Sequence, residues 1–484
     1  MTVTRKVVSS AMFATSAKLL SKALGILSTI VLARILAPEQ FGFIAIISIA
    51  LYFFDILSHT ASEQYVIQRA VVTKKQLDTA WSLNLIVKIV ISVVIASTAP
   101  WVALFFERPE LSNAIALSSI ILPIQALKSP LYILLKRQLK FSLLFWSSLI
   151  ERVLAVPFLI TLAISFKSYW AFVVTDIFAA VVAVIISYII AKKRPSFTLI
   201  ELSTQWAFSK WLLAKSIVGY TRSQIDTVVV SRTFSSGVLG NYHMARELAM
   251  MPAHFLLSPA IEPLLSAFKN DKDRTDELLN NVAFTLIAVL IVIIPLCAYI
   301  WKFSEELVFL FLGDNWNEAG KLLSILSFLF LYWTLLHVVE TALIAQERVK
   351  LLFYFDLFSL ALITTSLLTG VYLSLSIDEL VWVRVGSGLF GTLILLGVLF
   401  SGHVQRLTPV VLVGAVVSFV SYLWIGIERY KLNTDSYWRL VTELIPQGLL
   451  LLAFVVCSIL TLTLFTKQHH LTRLISVVRA SVIK

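Results

Sequence analysis

The sequence predicts an all-α polytopic membrane protein of about fourteen transmembrane helices: two six-helix lobes in parallel pseudo-repeat, then a C-terminal helix pair. Three observations predict it. The 484 residues are 58% hydrophobic and only 14% charged, with mean hydropathy +0.88. A water-facing surface needs about a quarter of residues charged, so the main solvent of this chain is lipid. Apolar segments of spanning length follow one another along the whole chain, several of them longer than the roughly 20 residues a bilayer requires. A motif near the start recurs 198 residues later. Disorder and a disulfide scaffold are excluded, because Gly and Pro are few and Cys297 and Cys457 both lie in apolar stretches.

The elements follow in order. The first segment, near 11–36, carries Lys18, Lys22, Gly25 and Thr29 at helical spacing, one stripe of one face. No small-residue cleavage site stands out there, which argues against a cleaved signal peptide. The second, 41–66, presents Tyr52, Asp55, His59 and Ser62, and the third, 79–105, Asn84 and Lys88. The fourth is 112–135; the fifth, 143–165, contains Glu151 and Arg152, and the sixth, 169–191, Asp176. The seventh, 206–234, repeats the first stripe with Lys215, Gly219, Arg222 and Asp226. The eighth, 239–267, offers His243, Arg246, Glu247, His254 and Ser258, and Pro252, Pro259 and Pro263 predict that it is kinked or broken. The rest lie near 281–302, 320–345, 351–375, 379–401, 408–427 and 443–466. Lobes are expected at 1–200 and 201–402, an extra pair at 403–466 and a basic tail at 467–484.

Loop charge sets the orientation. Arg and Lys number 21 in one set of alternating loops and tails, among them Arg5, Lys136, Lys193, Lys269 and Arg348, against 8 in the other set, which includes Arg108, Lys167 and Lys302. The positive-inside rule therefore places both termini in the cytoplasm.

Residues 29–42 read TIVLARILAPEQFG and 227–240 read TVVVSRTFSSGVLG. Thr29, Arg34 and Gly42 fall in register with Thr227, Arg232 and Gly240. The offset holds six segments, an even number, so the copies share one orientation. Transporters use such halves to rock around a central site.

These runs, LARILAPEQFGFIAI with Asp55 behind it and DTVVVSRTFSSGVLGNYHMARELAMMP, resemble the polysaccharide transporter family. That family comprises Wzx-type oligosaccharide-lipid flippases within the multidrug/oligosaccharidyl-lipid/polysaccharide exporter superfamily. The resemblance implies export of an undecaprenyl-diphosphate-linked repeat unit across a bacterial inner membrane, for O-antigen, capsule or exopolysaccharide. A polysaccharide polymerase and chain-length proteins are then candidate partners.

Intramembrane charges are costly and normally face a wet interior. The expected cavity cations are Lys18, Lys22, Lys88, Arg152, Lys215, Arg222 and Arg246; they outnumber the carboxylates Asp55, Glu151, Asp176, Asp226 and Glu247 by two. A basic pocket suits a diphosphate. The alternative roles are an Arg222–Asp226 structural pair and snorkelling of Lys18 and Lys22 to the headgroups. Arg246 and Glu247 are neighbours, so one at most faces inward. Asp55, Asp226 and Glu247 are the candidate groups for coupling to H⁺ or Na⁺. No other cofactor, metal or nucleic acid is expected. The G-x-G-x-x-G text at 386–391 lies in an apolar span and reads as close helix packing. Competing functions are a cation-coupled exporter of cationic drugs, which a basic cavity disfavours, and a membrane polymerase or ligase, which the lack of a large outer loop disfavours.

Overall fold

The structure, a computed structural model, describes residues 20, 23–58, 66, 72–137, 140–191, 195–200, 202–257, 261, 263–270, 274–426 and 437–466. In chain order the helices are α1 (Ala23–Ala33), α2 (Pro38–Leu57), α3 (Lys74–Phe105), α4 (Ser112–Ser118), α5 (Ile121–Ala126), α6 (Leu131–Arg137), α7 (Phe141–Phe166), α8 (Trp170–Ile190) and α9 (Leu202–Thr233). Then follow α10 (Ser236–Pro252), α11 (Leu264–Asn270), α12 (Thr275–Lys302), α13 (Ser304–Leu312), α14 (Asn317–Ala345), α15 (Val349–Tyr372), α16 (Ile377–Leu399), α17 (Thr408–Gly426) and α18 (Tyr437–Thr466).

Among the described residues, ten helices are long and apolar enough to cross a membrane. They correspond to the second, third, fifth, sixth and ninth to fourteenth segments of the sequence. The first and seventh appear as α1 and α9, and α9 is 32 residues long with charges along it. The eighth is α10, which reaches Pro252 and gives way to a π-helical turn at Ala253–Leu257, where the prolines predict a break.

The fourth segment differs from its expected continuous form. It is split into α4, α5 and α6. A proline ring collides with the carbonyl four residues earlier. Pro123 meets Ser119 in this way, one residue beyond α4, and Pro130 meets Ala126, the last residue of α5. The two breaks sit where that rule puts them. Two start signals are equally local: Thr73 with Gln76 and Ser376 with Glu379 form reciprocal capping boxes at α3 and α16.

Packing divides the chain into two compact units, 1–243 and 244–484. In the first, α7 and α8 form an antiparallel hairpin, α3 packs on α4 and α5, and α2 lies along α9. In the second, α12 and α14 form the centre: α14 carries α16, and α12 carries α17 with α18 beside it. Lys302, counted above among the outer-loop charges, is instead buried at the end of α12. Its ammonium donates to the Trp424 carbonyl (3.0 Å) and lies 4.4 Å from the Trp424 ring centroid. That carbonyl belongs to the last turn of α17, where carbonyls have no helical partner and a cation is favoured. Tyr299, one turn earlier, donates to the Leu444 carbonyl of α18 (3.0 Å). Two neighbouring side chains thus fasten the C-terminal pair to α12. In α16, Arg384 donates to the Tyr332 hydroxyl of α14 at 2.6 Å, and Gly388 leaves room for that tyrosine ring.

Lys302→Met keeps the length of the side chain but leaves the Trp424 carbonyl without its donor. The variant is expected to lose about 1–3 kcal/mol of stability, read as a lowered thermal midpoint of the purified protein in detergent.

Candidate functional site

The two copies of the repeated motif meet in the first unit. Gly42, on α2, sits against the Ser236 backbone, and Gly240, on α10, sits against the Pro38 carbonyl and the Gly42 nitrogen. A Cβ at either glycine would overlap a carbonyl oxygen of the other copy. Pro38 and Ser236 are themselves 198 residues apart, so the two contacts are equivalent under the repeat. The crossing is a local two-fold in which each glycine makes space for the other strand of backbone. Small residues at helix crossings allow this approach in membranes.

Polar groups surround the crossing. α3 ends in a Schellman turn, with Arg108 N–H bonded to the Ala103 carbonyl and Glu107 N–H to that of Leu104. Its left-handed residue is Glu107 (φ 55°), where glycine is the usual choice. The strained residue makes a contact glycine could not: Glu107 pairs with Arg232 at 2.5 Å. Next to it Arg108 Nε donates to the Ser236 hydroxyl at 2.8 Å. Strain of this kind costs about 1–3 kcal/mol and concentrates at functional positions. Arg34, the repeat partner of Arg232, is exposed; Thr29 bonds back to the Gly25 carbonyl (3.0 Å), and Thr227 is buried.

Deeper in the same unit, the Lys88 ammonium lies 3.0 Å from an Asp55 carboxylate oxygen, joining α3 to α2. Both were expected on a cavity wall in different roles, one for the anion and one for a coupling ion; the structure brings them together as an ion pair. Asp226 is buried and accepts from the Tyr242 hydroxyl (2.8 Å) and the Thr227 N–H (2.8 Å). Arg222 is half-buried on α9. Arg152 is exposed on α7, where its charge acts on Asp176 of α8. In the second unit Arg246 is half-buried and Glu247 exposed, as neighbours on one helix must diverge. Lys18, Lys22 and the Lys215 side chain lie outside the described residues.

Some participants were not singled out from the sequence. Tyr242, Glu107 and Lys302 look ordinary as text. Asp176 was counted as an intramembrane carboxylate but given no role, because its helix carries no second charge to make a stripe. Among the described residues no three His, Cys, Asp or Glu side chains converge as a metal cluster.

With this geometry in place, the comparisons with known proteins are informative. A family described as "Polysaccharide biosynthesis protein" matches residues 31–321. The chain is 26% identical over 378 residues to the lipopolysaccharide biosynthesis protein WzxC of Escherichia coli K12, covering 76% of each. It is 24% identical over 309 residues to the succinoglycan biosynthesis transport protein ExoT of Rhizobium meliloti 1021, covering 61% of this chain and 60% of ExoT. Among solved structures, the lipid II flippase MurJ in an inward closed conformation has the same fold. Its TM-score is 0.72 at 14% identity, over 92% of this chain and 98% of MurJ.

Gly42→Ala and Gly240→Ala should each lower the melting midpoint of the purified protein, by an overpacking cost on the order of 1–3 kcal/mol. Gly219 has nothing within 4 Å of an added Cβ, so Gly219→Ala should leave the midpoint unchanged or raised.

Proposed function

We propose a function from one premise: the chain belongs to the polysaccharide biosynthesis protein family. It is a multi-pass membrane transporter rather than an enzyme, and its cargo is a lipid-linked saccharide. The match over 31–321 carries this reading, since it takes in residues 31–42 of the first copy of the repeated motif and the whole of the second. The finer reading is that the protein moves an undecaprenyl-diphosphate-linked oligosaccharide repeat unit from the inner to the outer leaflet of a bacterial inner membrane. Relatives named for lipopolysaccharide and succinoglycan biosynthesis support that cargo.

The mechanism follows from charge and symmetry. A diphosphate entering a low-dielectric interior needs fixed cations, and Arg and Lys supply them. Lys18, Lys22, Lys88, Arg152, Lys215, Arg222 and Arg246 are proposed for that role. Lys88 is held by Asp55 until phosphate competes for it, so the pair is a resting state the cargo can open. The positive-inside rule puts the Gly42–Gly240 crossing on the outer side, with both termini in the cytoplasm. Its closure, fastened by Glu107–Arg232 and Arg108–Ser236, then seals that side while cargo loads from within. The sequence holds no P-loop, so the drive is an ion gradient or removal of the lipid on the far side. Asp55, Asp226 and Glu247 are proposed as coupling groups.

Lys215→Ala and Arg222→Ala are expected to stop surface polysaccharide formation and to build up lipid-linked intermediate inside, at normal protein level. One lost cation contact is worth about 2–5 kcal/mol when buried. Normal surface polysaccharide in both variants would return these residues to a structural role.

A further inference from the structure

Within the second unit, α14 keeps one stripe of side chains accessible where it is otherwise closed in. From Tyr332 to Leu343 every residue is buried except Trp333, His337 and Glu340. These recur at i, i+4 and i+7 and so share one face. α14 runs Asn317–Ala345, which puts Trp333 near the middle of a spanning helix. Anchoring tryptophans sit at span ends, so this one has another task. Lipid is not what the stripe faces either. A histidine one turn from the middle of a span, with a glutamate in line behind it, is costly in hydrocarbon and turns toward a wet interior.

A second element brings a further ring. α10 ends at Pro252, and the π-helical turn Ala253–Leu257 that follows packs on α14 and carries His254. Widened turns of this kind concentrate at functional sites. The His254 ring stands across the Trp333 indole, with centroids 5.8 Å apart and planes at 70°. On α14 itself the His337 imidazole lies nearly parallel to the indole, 5.2 Å between centroids and 12° between planes. Two imidazoles thus fix the orientation of one large flat ring, and all three side chains belong to residues that stay partly exposed. A binding group held in place before its ligand arrives lowers the cost of association.

A lipid-linked saccharide has three chemically distinct parts. Its polyprenyl tail suits lipid and its diphosphate suits fixed cations; neither calls for an indole. The sugar does. A pyranose offers a patch of C–H groups on its ring face and hydroxyls around its edge. A flat aromatic ring takes the face, while imidazole nitrogens and a carboxylate exchange hydrogen bonds with the hydroxyls. Glu340 stands about 10 Å beyond Trp333 along the helix, at a rise of about 1.5 Å per residue. The stripe is therefore longer than one sugar ring and suits an oligosaccharide. We propose that Trp333, His337, His254 and Glu340 form the subsite that reads the saccharide, an assignment that rests on the lipid-linked cargo proposed above and names residues that set which glycan is accepted.

Two probes separate the parts of the cargo: undecaprenyl diphosphate without sugar, and the lipid-linked oligosaccharide extracted from the protein's own host cells. Each is titrated into the purified full-length protein in detergent, following the melting midpoint, which rises with a ligand that binds only the folded state. The wild type is expected to respond to both, and to the sugar-bearing lipid at about tenfold lower concentration. Trp333→Ala should abolish that preference and leave the response to the sugar-free lipid as it was; Trp333→Phe should keep part of the preference, and Glu340→Gln should reduce it. No preference in the wild type, or one that Trp333→Ala leaves intact, would overturn the subsite and leave the transporter reading standing. A Trp333→Ala variant that weakens both lipids alike has lost structure rather than a sugar contact, which also overturns it. Where Trp333→Ala does not elute as the wild type does, His337→Ala takes its place and must lower the preference. A wild type indifferent to both lipids contradicts the cargo reading itself, and a rise with ethidium instead would give the rings to an organic cation.

Discussion

Two glycines that cannot carry a side chain hold the most informative contact in this molecule. Gly42 and Gly240 let the backbone of one motif copy touch the backbone of the other, and much of the first unit is arranged around that approach. Lipid gives no hydrophobic push between helices, so close packing and polar contacts must supply the association. Glycine supplies the packing. The polar contacts come from the end of α3, whose left-handed Glu107 trades local strain for a reach to Arg232. Each contact is replaceable in kind, but a methyl group at the crossing is not, because what it meets is a carbonyl and not a flexible side chain.

The same economy governs the buried polar groups. In hydrocarbon an unmet donor or acceptor is expensive, so most serines and threonines bond to their own helix. Groups that instead bond across helices mark fixed joints: Lys88 with Asp55, Tyr242 with Asp226, Arg384 with Tyr332, Lys302 with Trp424. Each ties together two elements that apolar packing alone would leave free to slide.

Much of this was legible in the sequence. Hydropathy placed most of the long helices closely, since length and apolarity are all a span requires, but α2 ends at Leu57, well before the expected 66. The register of Thr29, Arg34 and Gly42 with Thr227, Arg232 and Gly240 marked the two copies but not their contact; that they touch, at a backbone approach only glycine permits, came from the structure. The prolines of the eighth segment announced its break. Pro123 and Pro130 carried the same information about the fourth segment, and it was missed because the surrounding apolar run outweighed two residues. Lys302 was misplaced for a related reason: at a helix end, a lysine that snorkels and one that caps a neighbouring helix read alike. Pairings such as Lys88 with Asp55 depend on which helices are neighbours, and spacing along one helix does not contain that.

The account turns on whether the two motif copies must part for cargo to cross. Glu39 lies beside Gly237 at the crossing, its carboxylate 3.0 Å from where a Gly237 Cβ would stand. The double variant Glu39→Cys, Gly237→Cys, in an otherwise cysteine-free chain, can be oxidised in membranes and its cargo movement followed before and after reduction. The account predicts ready cross-linking, a transporter that stops when the disulfide forms and one that resumes when it is reduced. Undiminished movement of cargo by the fully cross-linked protein would contradict it.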